Sequence, residues 1–419
     1  MTSEESGFYI GYVKWRNQLL ALFCLIVFFA FGVFYFRYWV IQKPFGIILF
    51  IGEGLDAQIL AAARIHAGGA DKPLAIDSLA YSALLKNYSA DSATPDPAAA
   101  ATAIATGTKV RNGAVAVDAE GHHLTSLLDL AHDTGRVTGL ITNGNLTAPT
   151  AASFYGHTAD QYQSKNLAGQ LVEASDIDLV LGGGSADFFP QSQGGRRTDQ
   201  KDLTSVVQEA GYDFVRTLEE LEEVPRWRRA KLFGLFSESE LAFEDELEIL
   251  DDQPTLSDMV RRGIELLQFH RGGYLLVVDA ALMRKAARQR QGERRLAEAV
   301  EFDRAVSVAL RYAGNKSAIF VCSDVAGDSA DPSRSTPSEN PKPASESSVD
   351  RSHSETASPA LGASAAADIP PSESAVFPVT PSLTNTPEDV LAFGSGLGAD
   401  PLHGTQENTA IFDIIRDNL

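Results

Sequence analysis

Apolar residues along this chain gather into a few dense runs separated by mixed, periodic stretches. The first run, from Leu19 to Phe36, is 18 residues without a charge. Lys14 and Arg16 precede it, Arg37 and Lys43 follow, and Trp15, Tyr38 and Trp39 mark its ends. That length spans a bilayer core, and aromatic residues gather at membrane interfaces. A cleaved signal peptide would show small residues after the run; here the sequence reads Phe34-Tyr35-Phe36-Arg37. The pattern predicts an uncleaved transmembrane helix over residues 19–40, from Leu19 to Val40, behind an N-terminal tail of residues 1–18. Lys and Arg are nearly balanced on its two sides, so charge does not set the orientation.

The next run, 45–51, is rich in Ile and ends in Gly52-Glu53-Gly54, the mark of a buried strand entering a tight turn. Asp56 is placed to cap a helix that runs through Ile65. Strand-like runs recur at 137–142, 179–181, 274–279 and 317–322, with helical periodicity at 125–133, 257–270 and, as one long helix, about 281–312. Strands alternating with helices imply an α/β layered domain around a mostly parallel sheet. Ligands of such sheets bind beyond the carboxyl ends of the strands, which puts the loops after Ile51, Asp279 and Cys322 on one rim.

Between 327 and 382 the chain turns to Ser, Pro, Ala and Glu. Such a segment buries too little apolar surface to offset chain entropy, so it is expected to be a disordered insertion. Ordered sequence resumes at 383–419, with a helix expected near 407–417. The stretch 238–252 holds eight acidic residues and no basic one; without EF-hand spacing it reads as a solvated acidic loop. Arg226-Trp227-Arg228-Arg229 reads as a surface cluster.

The chain has 419 residues and a formal net charge of −20. That length carries a large core. The charge disfavours nucleic acid and anionic lipid headgroups as partners and would repel phosphate unless a local cation compensates. The two cysteines, Cys24 and Cys322, form no CxxC spacing, which argues against a disulfide framework or a thiolate metal site.

A colinear series of short motifs resembles the alkaline phosphatase family. The run Ile48-Leu49-Phe50-Ile51-Gly52-Glu53-Gly54 is similar to its opening strand, which usually ends in Gly-Asp-Gly. Asp96-Pro97-Ala98-Ala99-Ala100-Ala101-Thr102-Ala103 resembles its nucleophile motif, and Thr106-Gly107-Thr108-Lys109 and Asn112-Gly113-Ala114 continue it. Ala148-Pro149-Thr150, His157-Thr158-Ala159-Asp160, Leu181-Gly182-Gly183-Gly184, Leu232-Phe233-Gly234-Leu235-Phe236, Glu298-Ala299-Val300-Glu301-Phe302-Asp303 and Gln406-Glu407-Asn408-Thr409 follow in family order. The resemblance covers about 45–325 and 384–419. It implies a three-layer α/β sandwich over 45–326 and 383–419, dimerisation (homo- or hetero-), and an extracytoplasmic, periplasmic position for the domain.

The family's chemistry uses a serine at a helix N-terminus, two zinc ions, a magnesium and a phosphate-clamping arginine. At the matching positions this chain departs from that set. Pro97 stands at the nucleophile position, with neither hydroxyl nor backbone N–H, although Asp96 before it still makes a sound helix cap. Thr102, more than one turn into the helix, is expected to pack. Gln161 stands where the arginine clamp would be, so the bidentate charge is gone. Arg284, Arg288 and Asn385 stand at the ligands of one zinc, and a guanidinium cannot ligate a metal. Glu53, Pro97, Asp324 and Val325 match the other zinc, leaving two carboxylates of four donors. Glu53, Thr150 and Asp279, with Ala148, match the magnesium site, which leaves room for a weak Mg²⁺ or Ca²⁺ and none for zinc.

Three carboxylates gathered at strand ends require positive partners. Arg284 and Arg288, on one helix face, are expected to supply, through at least one of them, the charge that metals supply in the family; the alternative is that both point to solvent. The resemblance therefore points to a membrane-anchored homologue inactive as a phosphomonoesterase, with a binding or scaffolding role. Two alternatives stay open: an active metal-dependent phosphate monoester hydrolase with an altered site, and a structural partner of an active paralogue.

Overall fold

The structure is a computed structural model that describes residues 3–35, 43–173, 176–227, 231–247, 249–250, 252–326 and 387–419. The 36–40 end of the expected transmembrane helix, the expected insertion at 327–382, Asn385 and the Arg228-Arg229 half of the basic cluster lie outside the described residues.

Ten strands form one sheet: β1 (Gly46–Gly52), β2 (Tyr81–Lys86), β3 (Val137–Asn145), β4 (Leu179–Gly183), β5 (Asp213–Val215), β6 (Leu232–Leu235), β7 (Tyr274–Ala280), β8 (Ala318–Cys322), β9 (Val390–Gly396) and β10 (Gly404–Glu407). Their order is β10-β2-β9-β8-β1-β7-β3-β4-β6-β5. All neighbouring pairs are parallel except those of β9 with β2 and β8. The central strands are apolar on both faces because helices cover both. Ile47, Leu49 and Ile51 face one buried cluster, Ile48 and Phe50 the other. This alternation makes the three-layer sandwich.

Two expectations are corrected. The helix read as continuous over 281–312 is two, Leu282–Arg288 and Gly292–Tyr312. Arg290 between them has φ +57, a left-handed turn that ends the first helix. The acidic stretch is not simply solvated. Arg294 pairs with Asp245 and Glu246 at 2.9 Å each, and Arg304 with Glu244 at 2.8 Å, which ties the stretch to the second of these helices.

Ahead of the sheet, the helix Ser3–Tyr35 carries an apolar window, Trp15–Tyr35, of 21 residues with mean hydropathy 2.4, exposed throughout. It is long and apolar enough to cross a membrane. Where the chain enters the sheet, Arg136 donates to the carbonyls of Pro44 (3.0 Å) and Phe45 (2.9 Å), at the end of β1 away from the rim.

Candidate functional site

Three strand ends deliver three carboxylates. β1 and β7 run in register, Ile51 opposite Asp279, and Ile51 also faces Cys322 of β8. Glu53 and Asp324 therefore follow side by side, with Asp279 beside them. All three are buried, at 3%, 0% and 0% exposure. Asp324 Oδ1 accepts the N–H groups of Gly54 (3.3 Å) and Val325 (2.6 Å), and Oδ2 accepts the Thr150 hydroxyl at 3.3 Å. Thr142 donates its hydroxyl to Asp279 Oδ2 at 2.8 Å. Asp279 Oδ1 has no hydrogen-bond partner.

The helix Leu282–Arg288 leaves β7 directly into this cluster. Its first amides, those of Ala281 and Leu282, donate to Asn143 Oδ1 at 2.7 and 3.3 Å. That side chain does the work of a cap. The helix so aimed puts Arg284 Nη2 3.0 Å from Asp324 Oδ2 and Nε 3.5 Å from Glu53 Oε2. Arg288, one turn on, is exposed and forms no ion pair among the described residues. Of the two arginines, Arg284 meets the carboxylates and Arg288 does not. A helical turn carries Arg288 about 5.4 Å further from the strand ends, and it faces the open cleft.

Burial pushes the Asp279 carboxyl well above the usual range, and the neighbouring Glu53 raises it further. It is therefore held toward the neutral acid. Asp324 is pushed up to about 6, again by burial, with Arg284 opposing and Glu53 adding to the rise. For Arg284, burial opposes the charge, but Asp324, Glu53 and Asp279 outweigh it and keep the guanidinium ionised.

Pro97 opens the helix Pro97–Thr106, capped by Asp96. Asp96 Oδ1 accepts the Ala99 N–H at 2.9 Å, while Oδ2 accepts the Gly113 N–H and the Gln161 side-chain amide, each at 2.7 Å. Gln161 is thus bound to the cap residue. Thr102 is buried and takes the Ala116 N–H at 3.0 Å, packed as expected.

These parts border one cleft of about 590 Å³. Glu53, Asp96, Pro97, Ala148, Gln161, Arg284, Arg288 and Val325 all line it. No imidazole does. His157 stacks on His123 with ring centroids 4.2 Å apart and reaches Ala116 O at 2.9 Å instead. His122, with Asp118 and Glu120, forms an exposed turn held by Asp118.

Two residues outside the family motifs hold the site together. Asn87 donates to the Asp324 carbonyl at 2.8 Å. Arg295 donates to the Gly54 carbonyl at 2.8 Å. Asn87 is buried.

The family profile described as alkaline phosphatase matches residues 46–419. The tissue-nonspecific isozyme of alkaline phosphatase from Gallus gallus is 29% identical over 322 residues, 66% of this chain and 62% of that one. The chain thus spans under two thirds of that relative's length. The human tissue-nonspecific isozyme is 25% identical over 424 residues, 89% of this chain and 74% of the relative. Alkaline phosphatase H of Pseudomonas aeruginosa is 31% identical over 318 residues, 65% of this chain and 67% of the relative. The crystal structure of Thermus thermophilus alkaline phosphatase superposes with a TM-score of 0.71 at 21% identity, over 90% of this chain and 92% of that one. The cold-active alkaline phosphatase of a Shewanella species gives 0.68 at 21% identity, over 89% and 99%. At that identity the solved structures share the fold.

Proposed function

The chain belongs to the alkaline phosphatase family, and from that premise we propose that it is a membrane-anchored, non-hydrolytic member whose cleft binds or scaffolds a partner. One observation carries the reading: the Arg284 guanidinium is seated on Asp324 and Glu53. A fixed cation there takes the place of a divalent ion, because two positive centres cannot share one carboxylate pair without mutual repulsion. The donor set does not fit the family's zinc. No imidazole lines the cleft among the described residues, and the Arg284 guanidinium already sits on Asp324 and Glu53, the carboxylates a zinc ion would need.

Two further features support it. Pro97 offers no oxygen to attack phosphorus. Gln161 spends its amide on Asp96 at 2.7 Å and carries no charge for a phosphate. The exposed helix Trp15–Tyr35 supports a single-pass anchor, with the domain on the extracytoplasmic side by family analogy.

The test is direct. Full-length protein purified in detergent is assayed on a chromogenic phosphate monoester with Zn²⁺ and Mg²⁺ added, and its metal content is measured. The expected result is no turnover above background and no stoichiometric zinc. Turnover that vanishes on Glu53→Gln or Asp324→Asn would establish an altered but active hydrolase instead. Co-purification with an active family member would favour a structural partner.

A further inference from the structure

The parallel strands all start at one pole, opposite the cleft. Gly46 of β1 is level with Tyr274 of β7, and Tyr274 with Val137 of β3. Gly139 is level with Leu179 of β4, and Leu179 with Leu232 of β6. The chain arrives from its apolar N-terminal helix at this pole. Phe45 donates its N–H to the Lys316 carbonyl at 2.7 Å and accepts the Tyr274 N–H at 3.1 Å. Residues 36–42 join the helix to the domain, and fully extended they span about 25 Å at most.

Two aromatic side chains stand out at the same pole. Trp227 is 83% exposed and Phe269 63%, and among the described residues of the domain no other Trp or Phe is exposed. Phe269 lies in the turn between the helix Leu256–Leu267 and β7. There His270 donates its N–H to Leu267 at 3.2 Å and Gly273 donates to His270 at 3.1 Å. Trp227 lies in the turn before β6 and is tied to the same helix. Arg226 Nη2 is 3.1 Å from Glu265 Oε1, and Arg262 Nη2 donates to the Val224 carbonyl at 2.6 Å. Glu265 precedes Phe269 by about one helical turn, so the two aromatics flank one helix end. Arg226, Lys231 and Arg271 are exposed beside them, and neither turn carries a carboxylate, in a chain of net charge −20. Single exposed apolar residues are ordinary. A pair that shares a pole, a helix end and a basic border is the composition of a membrane interface, where aromatic rings sit at headgroup level and Lys and Arg meet phosphate groups.

We propose that Trp227 and Phe269 dock the domain by this pole on the headgroup layer of the bilayer that holds its own anchor. The proposal rests on the reading of Trp15–Tyr35 as that anchor. The short tether selects the occupant, because it keeps the start of β1 within about 25 Å of the end of the helix. Docking also fixes where the cleft opens. β1 is about 23 Å long, so the rim stands on the far side of the domain from the lipid. The cleft then meets a partner from the aqueous side and is out of reach of headgroups.

The test uses the full chain in nanodiscs of phosphatidylcholine and phosphatidylglycerol, with and without bromine high on the acyl chains. Bromine quenches tryptophans that sit at the bilayer. The chain has three, Trp15, Trp39 and Trp227, so parent minus Trp227→Phe fluorescence reports residue 227. Bromolipid should lower that difference at least about twofold. Phe269→Trp, made in the Trp227→Phe background, should be quenched alike. Tyr162→Trp in the same background, exposed at the cleft, should change by less than about a tenth. Trp15 and Trp39 report insertion of the anchor. If they are quenched while residues 227 and 269 are not, the docking is overturned and the anchor stands. If they are not quenched, the anchor reading falls and the docking falls with it. A residue 227 shielded from both lipid bromine and aqueous iodide would assign the patch to a second copy of the chain and overturn the docking as well.

Discussion

Arg284 Nη2 lies 3.0 Å from Asp324 Oδ2, in a pocket where the carboxylate has no solvent exposure and the guanidinium side chain keeps only 10%. The contact is an ion pair without hydrogen-bond alignment at that nitrogen, which makes no hydrogen bond. Its strength is therefore Coulombic, and in a buried setting it is screened little by salt. The third carboxylate, Asp279, is left to neutralise itself by holding its proton.

Arg284→Met should expose this dependence. It removes the guanidinium that contacts Asp324 and Glu53 and leaves these two buried carboxylates without that ion pair. Breaking such a pair costs roughly 3–5 kcal/mol, read as a lowered urea midpoint at unchanged slope. Arg288→Ala, at an exposed position, should stay within about 0.5 kcal/mol of the parent. Equal effects of the two variants would show that Arg284 is not the resident cation.

If the proposed non-hydrolytic reading holds, a hydroxyl placed at residue 97 should not by itself bring ester hydrolysis. Pro97→Ser puts an oxygen at the first turn of the helix, where the dipole favours an anion. Gln161 stays bound to Asp96 and Arg284 stays on Asp324. Ester cleavage by Pro97→Ser should stay at the background of the parent chain, with or without added Zn²⁺. Any metal-dependent turnover in that variant would mean that the proline alone silences the site.

The central strands were legible because strands buried on both faces are written as unbroken apolar runs, as in Ile47 to Ile51. β2 and β10 were not, since they are short and half-exposed, with no such run to mark them. The site's charged residues were legible from the motifs in which they sit. The residues that aim them were not. Asn143 caps the Arg284 helix from 138 residues away, Thr142 holds Asp279 across 137, and Asn87 holds Asp324 across 237. No local pattern encodes contacts of that separation. The different fates of Arg284 and Arg288 were hidden for a related reason. Spacing fixes a helix face, but distance from the sheet decides burial.

Asp96 now serves structure. It satisfies one helix amide, the Gly113 N–H and the Gln161 amide together. Asp96→Ala should cost about 1–2 kcal/mol for the cap, and more for the two donors left behind. Asp96→Asn keeps an oxygen for the cap and should recover a large part of the loss. Chemical unfolding of the two variants separates a capping role from a purely electrostatic one, for which Asn would be no better than Ala.

Glu298 gives the pH dependence its sign. Burial in the helix Gly292–Tyr312 pushes its carboxyl up to about 8, only partly offset by the Glu244 N–H that it accepts at 2.9 Å. In the unfolded chain a glutamate titrates near 4.3. Between those values the folded state holds a proton that the unfolded state has released, so stability falls as pH rises. The contribution is most favourable below about pH 4.3, declines by at most about 1.4 kcal/mol per pH unit, and levels off above about 8. Glu298→Gln keeps an oxygen for the Glu244 amide and cannot ionise. The difference in unfolding free energy, variant minus parent, should therefore be near zero or negative at pH 5 and positive at pH 9. A difference that stays flat across this range, measured by urea unfolding at each pH, would mean that Glu298 is not held protonated by its surroundings.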